Sequence, residues 1–75
     1  MTQEQKLLAE TITNCYNGAV RFNMVTAARI VGVYRGGVPR WLHERGVMVE
    51  DTGRDKYVHV NDLVVAMTTG RVSPL

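Results

Sequence analysis

Gly32 separates two stretches of helical periodicity, and that separation constrains this chain more than any other feature. Residues 23–46 read NMVTAARIVGVYRGGVPRWLHERG. Before the glycine, Ala27, Ala28 and Val31 recur at helical spacing, and the small alanines let another helix approach closely. Asn23 suits an N-cap, because its side-chain oxygen can accept a hydrogen bond from a backbone N–H that the first turn leaves unpaired. Phe22 precedes it and can staple the helix entry against the turn that follows. Gly32 can take the left-handed conformation that ends a helix. Val33 then resumes the apolar pattern. A short helix, a glycine turn, an apolar anchor and a second helix, in that order, make a helix-turn-helix.

The second helix is expected to start near Gly36 or Gly37. Pro39 falls in its first turn, where the N–H it removes has no intrahelical partner. Val38, Trp41 and Leu42 share one face and are expected to seal the core. Arg35, Gly36, Gly37, Arg40 and Glu44 share another, with His43 at its edge. Gly46 ends the helix. Arginines near the start of such a helix can read guanine bidentately or clamp phosphate.

A chain of 75 residues makes one domain, here spanning residues 1–75. A domain this small buries only roughly 60–65% of its unfolded surface. That suffices for a small core but not for a deep catalytic cleft, and no enzymatic activity is expected. The apolar fraction of 45% argues against disorder. No apolar run approaches the ~20 residues that span a bilayer. No basic segment leads into an apolar block, so no secretory signal is expected. The single cysteine, Cys15, permits no internal disulfide and suits a reducing cytoplasm.

The formal net charge of +2 is unevenly distributed. Residues 21–46 hold five arginines (Arg21, Arg29, Arg35, Arg40 and Arg45) against Glu44 alone, a local net charge of +4. The segments on either side each carry one more acidic than basic residue. Such a focused footprint suits a polyanion better than the overall charge does. A solvated surface that happens to use arginine would give the same count.

Residues 3–16 form an amphipathic helix with Leu8, Ile12 and Cys15 on one stripe and Leu7 and Tyr16 beside it. The stripe is expected to join the core, with Cys15 as a buried thiol. Asn17-Gly18 stops that helix. Residues 19–22 are short and extended, and can pair with a later strand. After Gly46 the period changes. Val47 and Val49 alternate with Met48 and Glu50, and residues 57–60 are rich in strand formers. Between them Asp51-Thr52-Gly53-Arg54-Asp55 reads as a hairpin loop with a glycine for positive φ. This hairpin, residues 47–60, is a wing. Arg54 and Lys56 near its tip can reach phosphates or a minor groove, although Asp51 and Asp55 beside them weaken the signal. Asn61 is expected to cap a closing helix over residues 61–69, with Asp62 favourable to its dipole. Leu63, Val64, Ala66 and Met67 supply its apolar face. Gly70 ends it, and residues 71–75 form a tail.

The run Ala27-Ala28-Arg29-Ile30-Val31-Gly32-Val33 is followed by Arg35, Val38, Arg40-Trp41-Leu42, Gly46, a hairpin with Gly53-Arg54 and Tyr57, and Asn61-Asp62-Leu63. This series resembles the MerR-type winged helix, and most of all the small excisionase-like and AlpA-like proteins of phages and mobile elements. The likeness covers residues 22–68; its specificity lies in order and spacing, since each piece alone is common. It implies an α+β, mainly α fold: a winged helix-turn-helix (residues 23–46) with a two-stranded hairpin wing, a closing helix and an extra N-terminal helix. It also implies sequence-selective binding of double-stranded DNA, as an architectural factor in excision or as a small transcriptional regulator. An integrase or another phage or host protein would be the partner, with self-association on DNA and a location in the bacterial cytoplasm, at the nucleoid. Carried over by position, Arg35 and Arg40 would touch DNA from the recognition helix and Arg54 from the wing. Gly36, Gly37, His43 and Lys56 complete the expected interface. Family members usually carry Ser or Thr where this chain has Gly36 and Gly37, and often Tyr where it has Pro39. The glycines would then offer backbone N–H groups to a phosphate, or the surface would meet a protein, as an inhibitor or adaptor does.

Other chemistry finds little support. His43, His59 and Cys15 show no metal-ligand spacing, so no metal or cofactor is expected. Ser73 is the only serine and lies near the end of the chain, which leaves no basis for a serine triad. Gly36-Gly37 lacks the strand and lysine of a phosphate loop. Trp41 and Tyr57 can in principle stack on bases, but a lone Trp at helical spacing with Val38 is first a core residue.

Overall fold

A computed structural model describes residues 1–69. Among them run α1 (Gln3–Cys15), β1 (Arg21–Asn23), α2 (Met24–Val31), a 3₁₀ turn (Arg35–Gly37), α3 (Val38–Glu44), β2 (Glu50–Asp51), β3 (Lys56–His59) and α4 (Val60–Thr69). The fold is α+β and mainly helical. Gly70 and residues 71–75, expected to end the last helix and form a tail, lie outside the described residues.

Helix α1 opens on a capping box. The Thr2 hydroxyl accepts from the Gln5 N–H at 3.1 Å, and the Gln5 side chain accepts from the Thr2 N–H at 2.9 Å. The helix packs on α4, and Gln5 Nε2 donates to Thr68 Oγ1 at 2.8 Å across that contact. Its buried stripe is Ala9 and Ile12 with Leu8 half-buried, not Leu8, Ile12 and Cys15. Cys15 is exposed, which corrects the expectation of a buried thiol. The reason is angular. Cys15 lies roughly 60° round the helix from Ile12, on the side away from Ala9, and α4 covers the Ala9 side.

The strands pair antiparallel in the order β1-β3-β2. Phe22 faces Val58 in the register, and both are buried. Phe22 also meets Tyr16 edge-on, with ring centres 5.3 Å apart. The wing is therefore not a free two-stranded hairpin. Its strand β3 is the centre of a three-stranded sheet, because the extended segment before Asn23 supplies a partner. Strand β2 is only two residues long, so Val47 to Val49 approach the sheet without joining it; Val47 is buried and Val49 half-buried.

Asn23 caps α2, accepting from the Thr26 N–H at 2.8 Å. Gly32 closes the helix at φ 75°, in the left-handed region. The chain then makes the 3₁₀ turn over Arg35–Gly37, and α3 begins at Val38 with Pro39 in its first turn. The start is thus one or two residues later than expected, with the glycines in the turn.

Helix α4 begins one residue earlier than expected, at Val60, whose N–H donates to Val20 O at 2.7 Å. Asn61 is consequently not the cap. His59 precedes the helix, and its Nδ1 accepts from the Asn61 N–H at 3.1 Å. Asp62 sits in the first turn as expected. Leu42, Leu63, Val38, Val58 and Val64 are the largest fully buried side chains, and no polar side chain is buried among the described residues. Complete burial of Leu42 or Leu63 contributes roughly 2–3 kcal/mol each. That is a large share of a small domain's net stability.

Candidate nucleic-acid interface

One cleft of about 520 Å³ lies between the start of α2, the 3₁₀ turn and the wing. Asn23, Met24 and Val25 line it from the first side, Arg35 and Gly36 from the second, and Asp51, Gly53, Arg54, Asp55 and Lys56 from the third. The sheet order explains the convergence. Pairing of β1 with β3 draws the wing against the residue that caps α2, and so against the turn that follows α2.

The wing tip is built by its own side chains. Asp51 Oδ1 accepts from the Gly53 N–H at 2.8 Å. Thr52 Oγ1 donates to Asp55 O at 3.0 Å and stands 3.1 Å from the Asp55 N–H. Gly53 has φ 86°, the positive value expected of it. Arg54 is thereby fixed at the crest of a closed turn. Asp51 and Asp55 leave the cleft with three cationic side chains against two carboxylates.

Of the expected interface residues, the cleft brings together Arg35, Gly36, Arg54 and Lys56. Arg40 and His43 are exposed on α3, outside the cleft's walls. The Arg40 side chain is 85% exposed and pairs with Glu44 at 3.5 Å, one helical turn on. Gly37 is half-buried, and its N–H donates to Tyr34 O at 2.8 Å; the Val38 N–H donates to Arg35 O. Backbone capture of a phosphate by the Gly37 N–H, expected from its glycine, is thus forestalled: that N–H already has a partner inside the turn.

The arginine cluster divides by role. Arg21 pairs with Glu50 at 3.0 Å and lies over the Tyr57 ring at 4.8 Å. Arg45 lies over the Trp41 ring at 4.1 Å and donates to Trp41 O at 3.1 Å. Both are structural fasteners. Arg29, Arg35, Arg54 and Lys56 have no ion-pair partner among the described residues. No protein-family model, no curated protein and no solved structure matches the chain. The residues themselves carry the functional reading.

Two exposed apolar side chains outside the cleft's lining escaped the sequence. Tyr34 is 83% exposed, and its ring lies on Gly36. Its signal in the sequence is weak: a large aromatic in a turn otherwise built from glycine and arginine. Met48, 87% exposed after α3, has no distinguishing signal at all. Among the described residues no cluster of His, Cys, Asp or Glu could hold a metal, and no helix is long and apolar enough to cross a membrane.

Proposed function

We infer that this chain is a double-stranded DNA-binding module of winged helix-turn-helix type. In this reading α2 and α3 form the helix pair, β2 and β3 the wing, and α4 the closing helix. The observation that carries it is the convergence of Arg35, Arg54 and Lys56 on one open cleft, from two segments far apart in the chain, with no ion-pair partner among the described residues. Cations left unneutralised are what counterion release requires: each phosphate they neutralise frees a condensed ion and favours association. Arg40 on α3 adds a further exposed guanidinium beside that cleft's turn. Arginine at such a position can read a guanine edge as well as a phosphate.

The resemblance of residues 22–68 to excisionase-like and AlpA-like proteins supports a role in excision or in transcriptional control. An excisionase-like protein would distort its site and direct an integrase; a regulator would occupy a promoter. Either would act within phage or mobile-element DNA in a bacterial host.

The test is a binding titration against a short mixed-sequence duplex over a range of salt. The slope of log affinity against log salt should be steep, and should fall by about 0.9 for each phosphate contact removed by Arg35→Ala, Arg54→Ala or Lys56→Ala. A slope unchanged in all three variants would refute this use of the cleft.

A second reading, a protein-binding inhibitor or adaptor on the same scaffold, draws on Asp51 and Asp55 within the cleft and on the exposed Tyr34 and Met48. It predicts no retardation of any duplex together with a stable complex of defined stoichiometry with a co-encoded protein.

A further inference from the structure

We propose that Tyr34 is a phosphate-contacting side chain of this interface, and that Gly36 is glycine to make room for it. The inference rests on the DNA reading above and deepens it.

The argument begins at Gly36. Its backbone is outside the left-handed region, so conformation does not demand a glycine there. Space does. A Cβ at Gly36 would stand 2.6 Å from Cε2 of Tyr34, 3.3 Å from Cζ and 3.4 Å from Cδ2. One edge of the Tyr34 ring therefore lies along the glycine. At Gly37 the same addition would meet only Val33 Cγ1, at an ordinary 3.8 Å. The two neighbouring glycines thus differ: the first is tied to the ring and the second is not.

The ring's position follows. Gly36 is a wall of the cleft that holds Arg35, Arg54 and Lys56. The Tyr34 ring lies beside Gly36, one of the residues that line that cleft. Its backbone is also held, because Tyr34 O accepts from the Gly37 N–H at 2.8 Å. Yet the side chain is 83% exposed, and its hydroxyl has no protein partner among the described residues. A neutral O–H donor that precedes Arg35 in the chain and whose ring adjoins a cleft-lining glycine is available to an anion drawn to that cleft. Tyrosine hydroxyls are regular donors to phosphate oxygens. Fixing a tyrosine orders only two side-chain torsions, so the contact carries a small entropic cost.

The experiment measures affinity for a short mixed-sequence duplex at low salt by fluorescence anisotropy, with thermal melting of each variant. Tyr34→Phe and Tyr34→Ala should each weaken binding about tenfold, as one lost hydrogen bond to an ionised acceptor does, with melting curves unchanged. Gly36→Ala should weaken it to a similar degree by displacing the ring, and should add nothing in the Tyr34→Ala background. Full affinity in Tyr34→Ala, with Arg35→Ala and Arg54→Ala impaired, overturns the inference and leaves the DNA reading standing. Loss in Tyr34→Ala but not in Tyr34→Phe overturns the phosphate contact. A Gly36→Ala defect that persists without Tyr34 overturns the link between the two residues. Absence of binding by the unaltered chain would remove the DNA reading itself.

Discussion

The guanidinium carbon of Arg45 lies 4.1 Å from the centre of the Trp41 ring, and Arg45 Nη1 donates to the carbonyl oxygen of Trp41 at 3.1 Å. One side chain therefore covers the half-buried indole and ties down the last turn of α3. Arg45→Ala should lower stability by about 1–2 kcal/mol, the sum of a partly desolvated cation–π contact and one hydrogen bond. Urea unfolding measures this. Duplex affinity should change far less than in Arg35→Ala. A large affinity loss at unaltered stability would instead make Arg45 a contact residue.

Glu44 partly neutralises Arg40 on the exposed side of α3. An exposed i,i+4 pair contributes only about 0.3–0.5 kcal/mol, so the pair is easily broken. Glu44→Gln should leave the melting curve within about 0.5 kcal/mol of the parent and strengthen duplex binding a few-fold. Arg40→Ala should weaken binding with the fold intact. Equal affinity in both variants and the parent would place α3 away from DNA.

Asn23 has two duties that substitution can separate. It caps α2, and it lines the cleft. Asn23→Ala should cost about 1 kcal/mol of stability through the lost cap. Asn23→Asp keeps the cap but adds a negative charge to the cleft, so stability should hold while duplex affinity falls. Calorimetry and a binding titration on the same samples distinguish these outcomes.

Cys15 is exposed at the end of α1. A thiol reagent such as a disulfide dye should label the folded protein without denaturant, at a rate close to that of the unfolded chain. Protection of the thiol until unfolding would mean that the last turn of α1 packs against something.

What could be read from the residues alone follows from how local each interaction is. The Asn23 cap, the left-handed Gly32 and the positive φ of Gly53 depend on neighbours within a turn, and all three stand where they were expected. The pairing of residues before Asn23 with a later strand was open to the sequence as a possibility, but its register was not. The Arg21–Glu50 bond spans 29 residues and exists only because β1 and β2 flank β3. Counting charges put Arg21 and Arg45 in the same cluster as Arg35, yet aromatic rings claim the first two. Helical periodicity placed Cys15 on the apolar stripe; the position of α4 decided which half of that stripe is covered. Asn61 has the residue type of a cap, but α4 already begins at Val60, whose N–H continues the β1–β3 pairing by donating to Val20 O. By residue type alone, Gly36 offers a ligand its backbone N–H. In three dimensions its near neighbour is the ring of Tyr34, two residues back.

The sheet order has a consequence for how the molecule behaves in a crowded solution. Strand β3 has partners on both sides, so among the described residues the open borders of the sheet belong to β1 and β2. One is three residues long and the other two, and they carry Arg21, Glu50 and Asp51. Stubby, charged borders give a second chain almost nothing to zip onto. The protein should therefore resist fibril formation at concentrations where a longer, uncharged β-ribbon would stack.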